Sequence, residues 1–175
     1  MPGDLLADAL ADLIDRPRAV VLVTGAVGAG KSTACREAAS RLRARGIPAG
    51  GIVAERVLAG GETAGYDALD LRTGARRTLA RTRPPGIPVG RFFMDPQALK
   101  FARAALREAA ETARVVFVDE VGLWELEGGG LAGSLRMLLA ADLILVIAAR
   151  EGLAGAIESV FGIRGALAWP MKAAN

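Results

Sequence analysis

The stretch Ala19 to Arg36, AVVLVTGAVGAGKSTACR, runs from an apolar strand-like segment through a glycine-rich turn into a helix-like segment. Gly25, Gly30, Lys31 and Ser32 satisfy G-x-x-x-x-G-K-[ST], with a strand before and a helix after as a phosphate-binding loop requires. Glycines in such a loop let consecutive backbone N–H groups turn inward around an anion, and the following helix presents its positive end. The expected nucleotide-binding cradle is therefore Gly25, Ala26, Val27, Gly28, Ala29, Gly30, Lys31, Ser32 and Thr33. Lys31 adds a point charge and is a catalytic candidate, and Ser32 is a candidate Mg²⁺ ligand. The competing reading is a glycine-rich turn that happens to carry Lys-Ser. Only three lysines occur in the chain, and one of them sits in the motif.

The rest of the composition narrows the choices. With 175 residues and 52% hydrophobic content, one well-buried core is expected, as a single nucleotide-binding domain over residues 1–175. The formal net charge is +3, and arginines are scattered along the chain. Aromatic content is 5%, so the interleaving of basic and aromatic residues typical of nucleic-acid binders is missing, which argues against a DNA or RNA partner. Cys35 is the only cysteine, which excludes an intramolecular disulfide and fits a reducing, cytoplasmic compartment. Cys35 reads as a small core residue. The chain has no histidine, so Ser-His and Cys-His nucleophiles and His-ligated zinc are excluded, and proton transfer falls to carboxylates. Asp4, Asp8 and Asp12 stand where a signal peptide would be basic, and no apolar run reaches membrane-spanning length, so no membrane partner is expected.

Around the loop, the periodicity predicts alternating elements. Leu5, Leu6, Ala9, Leu10, Leu13 and Ile14 recur at helical spacing before Pro17. Ala34, Cys35, Ala38, Ala39 and Leu42 mark the buried stripe of the helix after the loop, which Gly46 and Pro48 end. From Ile52 to Leu71, apolar and polar residues alternate about Gly60-Gly61, the signature of a β-hairpin; Arg76 to Arg83 offers another strand after a turn at Thr73-Gly74. The prolines and glycine of Pro84 to Pro88 read as a loop. Asp95-Pro96 reads as the cap and first residue of a helix reaching about Thr112. Strands are expected at Arg114 to Glu120 and Leu143 to Ala148, helices at Leu131 to Ala141 and Leu153 to Phe161, and a last short strand or tail from Gly162 to Asn175. Unbroken apolar strands of this kind suit a parallel sheet covered on both faces. The fold class is α/β, doubly wound and mostly parallel, with an inserted antiparallel hairpin region.

The strand RVVFVDE ends in two carboxylates. Asp119, at a strand end beside the phosphate loop, fits a Mg²⁺ ligand acting through water. Glu120, pointing away from Asp119 at the sheet's edge, fits a group that orients or deprotonates a water attacking the γ-phosphate. Glu125 and Glu127, in the same connection, are the rival carboxylates.

Taken together, the phosphate loop, the GGIVAERVLAGGETAGYDALDLRTG hairpin, the LAR and VGRFF segments and VDEVGLWEL resemble the small nucleoside-triphosphatases of the thermophilic-phosphatase type. The resemblance covers about Val20 to Arg150. It implies a RecA-like P-loop domain with three α/β/α layers that hydrolyses ATP, GTP and other triphosphates with Mg²⁺ and little base preference. On the matching positions, it carries the phosphate, metal and water-activating roles to Gly30, Lys31, Ser32, Asp119 and Glu120. The chain departs from the pattern at Arg91-Phe92-Phe93, where a tyrosine would follow the basic residue, and at Leu123-Trp124. Trp124 either stacks on a base or fills the core, and the core reading is preferred. Arg91 and Arg150 are candidates for an arginine finger, with a solvated surface arginine as the alternative for each.

Two other functions share the phosphate loop. A small-molecule or nucleotide kinase would use an arginine-rich lid, for which Arg76, Arg77, Arg81 and Arg83 are available. A nucleotide-dependent binding or assembly factor would hydrolyse slowly until its protein partner arrived. No N-K-x-D guanine reader occurs in the chain.

Overall fold

The structure is a computed structural model that describes residues 1–172. The elements run α1 (Pro2–Ala11), β1 (Ala19–Gly25), α2 (Lys31–Ala44), β2 (Ala49–Ala59), β3 (Glu62–Asp70), β4 (Arg76–Arg81), β5 (Ile87–Val89), β6 (Phe92–Met94), α3 (Pro96–Thr112), β7 (Val115–Val121), α4 (Leu123–Leu126), α5 (Ala132–Leu139), β8 (Ile144–Arg150), α6 (Ala154–Phe161) and β9 (Leu167–Pro170). All nine strands join one sheet in the order β5-β6-β4-β3-β2-β7-β8-β1-β9. From β2 to β9 the neighbours are parallel, and from β2 out to β5 they are antiparallel.

The parallel half is covered on both faces. On one side α1 and α2 pack Leu6, Leu10, Ala38 and Leu42 against Val23, Val146 and Phe117. On the other, α3, α5 and α6 pack Leu106, Leu135 and Ile157 against Val116, Val118 and Ile147. These three layers explain why RVVFVDE and its neighbours are apolar without alternation, since side chains on both faces of the strands leave water. The α1 and α2 helices are further tied by ion pairs from Arg41 to Asp4 and from Arg45 to Asp8.

Expected and observed elements differ at the short ones. The Pro84–Pro88 loop gives way at Ile87 to β5, which pairs with β6 at Phe92–Met94 and extends the antiparallel wing by two strands. β5 carries a proline and neither three-residue strand alternates, so nothing in the local pattern marks them. Within the expected last segment, Leu167–Pro170 forms β9, parallel to β1. Asn175, the end of that expected segment, lies outside the described residues. The expected helix at Asp95-Pro96 is capped as read, with the Asp95 side chain accepting from Gln97 N–H at 2.8 Å.

Candidate functional site

The loop between β1 and α2 turns at Gly28 and Gly30, and Gly30 sits at φ 82°, a left-handed conformation that a side chain would strain. Lys31 is 3% exposed, and its Nζ donates to the Gly25 and Ala26 carbonyls, at 3.0 Å each. Val27, Gly28, Gly30, Lys31, Ser32 and Thr33 line one wall of a pocket of about 510 Å³. Gly25, which ends β1, and Ala26 and Ala29 of the loop are not among the residues lining it. Cys35, one helical turn on, is 2% exposed, and burial first, then the Asp119 charge, pushes its thiol well above the usual range. It is a core residue, as its place on the α2 stripe implies.

In the sheet, β8 lies between β1 and β7, so the phosphate loop and the acidic strand end face the same rim across one intervening strand. Asp119 is 4% exposed. Its carboxylate accepts from Ala54 N–H at 3.1 Å and Glu120 N–H at 2.9 Å, and together with the nearby Ser32 hydroxyl these groups work to lower its pKa. Burial, followed by the Glu120 charge, still raises its pKa to about 7. A buried carboxylate beside a serine hydroxyl, with no cation partner among the described residues, is a hard-oxygen donor pair that fits one Mg²⁺ completed by phosphate oxygens and water.

Glu120 is the residue whose placement local pattern does not reveal. The β7-β8 register slips between Val118 and Val121, so β7 carries one extra residue opposite β8. Within that bulge Glu120 adopts φ 57°, the single non-glycine positive φ among the described residues. Such a conformation costs about 1–3 kcal/mol and persists only where the surroundings impose it. β7 is an interior strand, so Glu120 stands at its C-terminal rim instead of at a sheet edge. From there it lines the phosphate-loop pocket.

The rival carboxylates are accounted for differently. Glu125 turns back into its own connection, accepting from Gly122 N–H at 3.0 Å and Leu131 N–H at 3.2 Å, and burial raises its pKa. Glu127 is exposed just after α4. Trp124 is half-buried and packs so closely on Gly129 that a Cβ there would overlap its indole, which places it in the α4 connection and outside both core clusters.

Sequence reasoning passed over Arg56. It lies on β2 across the pocket from the phosphate loop, its guanidinium within 4.0 Å of the position a Cβ would take at Gly28. Among the described residues it forms no ion pair. Its neighbour Glu55 instead binds Arg36 at 2.9 Å and Arg76 at 2.8 Å, and the Arg76 hydrogen bond above all lowers its pKa. The only signal available in sequence was an arginine in the hairpin strand; its place beside the phosphate loop follows from the pairing of β2 with β7 in the sheet. Arg91 and Arg150, the finger candidates, line a neighbouring cavity and not the phosphate pocket. Of the arginines available for a lid, Arg76 binds Glu55 of β2, Arg81 binds Asp67 at 2.7 Å and Arg77 lies over the Phe101 ring of α3 at 5.7 Å, whereas Arg83 is exposed and forms no ion pair among the described residues.

No helix among the described residues is long and apolar enough to cross a membrane. The sequence is 34% identical over 116 residues to nucleoside-triphosphatase THEP1 of Methanopyrus kandleri, a match spanning 66% of this chain and 64% of that relative. It is 28% identical over 153 residues to nucleoside-triphosphatase THEP1 of Methanothermobacter thermautotrophicus, spanning 87% and 88%. The fold superposes on the solution structure of a human cancer-related nucleoside triphosphatase with a TM-score of 0.69 at 25% identity, covering 87% of this chain and 88% of that one. A sequence model of the NTPase family matches residues 20–163. The bulged acidic strand end and the glycine cradle thus occur on a chain that belongs to this small P-loop NTPase family.

Proposed function

We propose that this protein is a Mg²⁺-dependent nucleoside-triphosphatase that releases phosphate from ATP, GTP and related triphosphates with low base preference. The observation that carries this reading is Glu120, held by a strained bulge at the mouth of the phosphate-loop pocket and one residue from buried Asp119. The backbone from Gly25 to Thr33 cradles the phosphates. Lys31 exchanges the Gly25 and Ala26 carbonyls for phosphate oxygens, and Arg56 neutralises charge from the opposite wall. Ser32 and Asp119 would hold Mg²⁺, which when bound would neutralise charge on the phosphate oxygens. Glu120 takes the proton of the attacking water, or orients it, as the water oxygen bonds to the terminal phosphorus and the bond from that phosphorus to the bridging oxygen breaks, releasing nucleoside diphosphate and phosphate. The absence of an N-K-x-D segment supports a weak choice among bases.

Phosphate release from ATP, GTP, CTP and UTP, with Mg²⁺ and with EDTA in its place, tests the reading. All four should be hydrolysed with kcat/KM values within about 10³ of one another, equivalent to about 4 kcal/mol. EDTA should abolish release. A larger gap between nucleotides, or turnover that survives EDTA, would overturn the broad-substrate or the metal-dependent part respectively.

A further inference from the structure

On the far side of Glu120 lies a second cavity of about 480 Å³, and Tyr66 and Glu120 line it as well as the phosphate pocket. Hydrolysis needs room for one water, whose share of liquid volume is about 30 Å³. This cavity falls instead within the ~300–1,000 Å³ range of small-molecule sites. Its walls are apolar and aromatic: Phe92 and Met94 from the antiparallel wing, Trp124, Leu131 and Leu153 from the connections after β7 and β8. Tyr66 and Phe92 meet edge to face there, with ring centroids 5.4 Å apart.

The polar groups at this cavity divide into spent and free. Glu125 has both oxygens on its own loop, and Asp119 is held by Ala54 and Glu120 N–H groups. Arg91 lies over Phe92 at 4.9 Å with one donation to the Thr63 carbonyl at 3.4 Å. Arg150 ends β8, is exposed, and forms no ion pair among the described residues. Two cations with little to hold thus border an aromatic-walled cavity. A triphosphate seated on Lys31 turns its terminal phosphate toward Glu120 and its nucleoside away, so the nucleoside does not occupy this space; that clause rests on the hydrolase reading.

We propose that this cavity is a second ligand site for a small organic acid with a flat apolar body. The body lies between Trp124 and Phe92, and the anionic group meets Arg150 and Arg91. A bound ligand fills the space from which water reaches Glu120, so occupancy slows hydrolysis without weakening nucleotide binding.

The aromatic sulfonate 8-anilinonaphthalene-1-sulfonate is a suitable probe, titrated by fluorescence into the full chain saturated with Mg²⁺ and a non-hydrolysable triphosphate analogue that blocks the phosphate loop. One equivalent should bind, and Arg150→Gln and Leu123→Asp should each weaken it by about tenfold. Leu123 is 66% exposed, and both substitutions fall at exposed positions where the fold tolerates them. In steady-state assays the probe should lower kcat for ATP and leave KM unchanged. Absence of saturable binding, displacement by the analogue, a rise in KM at constant kcat, or wild-type affinity in both variants would overturn the site. Failure of the hydrolase reading shows separately, as no phosphate release without the probe, and the binding titrations still decide the site.

Discussion

The two halves of the sheet are built from different material. The parallel half, β2-β7-β8-β1-β9, buries Val116, Phe117, Val146 and Ile147 between helical layers at 0% exposure. The antiparallel wing, β3-β4-β6-β5, carries Arg76, Arg77, Arg81, Tyr66 and Phe92 at half-buried or exposed positions, with Arg81 paired to Asp67 inside the wing and Arg76 to Glu55 of β2. The phosphate loop, Asp119 and Glu120 are mounted on the first, while Arg56, Tyr66 and Arg91 reach the cleft from the junction or the second. A dry, packed frame fixes the groups that need fixed geometry. A wetter wing supplies groups that meet the ligand's charge and apolar surface.

That contrast has a stability consequence. Phe117→Ala removes a fully buried ring from the parallel half and should cost about 3–5 kcal/mol. Phe92→Ala, on the half-buried wing, loses part of its burial and its edge contact with Tyr66, and should cost about 1–2 kcal/mol. Denaturant melts of the two variants decide it, and equal losses would erase the distinction between the halves.

The next two variants compare the cradle with the wall opposite. On the proposed reading Lys31 trades its two carbonyl partners for phosphate oxygens, so Lys31→Ala loses two charge-assisted hydrogen bonds of about 1.5–3 kcal/mol each, and nucleotide affinity by calorimetry should fall by about 10²–10⁴. Unchanged affinity in a folded variant would refute the phosphate-loop assignment. Arg56→Gln removes one such partner from a more exposed position, and kcat/KM should fall by about 10–100-fold. An Arg56 variant with normal kinetics would reduce that residue to a surface arginine and leave charge neutralisation to the rigid half alone.

The same division explains what could be read in the sequence. Strands β1, β7 and β8 announced themselves because burial on both faces demands unbroken apolar runs, and α2 and α3 because caps, glycine and proline bracket them. The β2-β3 hairpin was legible from Gly60-Gly61. In the wing, by contrast, β5 and β6 owe their pairing to partners brought from elsewhere in the chain. Arg56 could be named but not aimed, since what the hairpin strand faces is set by its long-range pairing with β7. Likewise VDE showed two carboxylates in sequence, while the extra residue in β7 and the φ of Glu120 are set by pairing with β8. Trp124, read as core, lies in the α4 connection because the indole is accommodated by Gly129 beside it.

Glu120 is the proposed group that acts on water while the rest of the site holds the nucleotide. Single-turnover hydrolysis of ATP by Glu120→Gln, measured beside Glu125→Gln with nucleotide affinity determined for both, tests this most directly. The amide preserves size and cannot take a proton, so Glu120→Gln should bind ATP as the wild type does and hydrolyse it about 10²–10⁴ times more slowly. Glu125→Gln should retain its rate, because that carboxylate is committed to the Gly122 and Leu131 N–H groups. Near-normal turnover in Glu120→Gln with loss in Glu125→Gln would contradict the account and move the reacting carboxylate into the α4 connection.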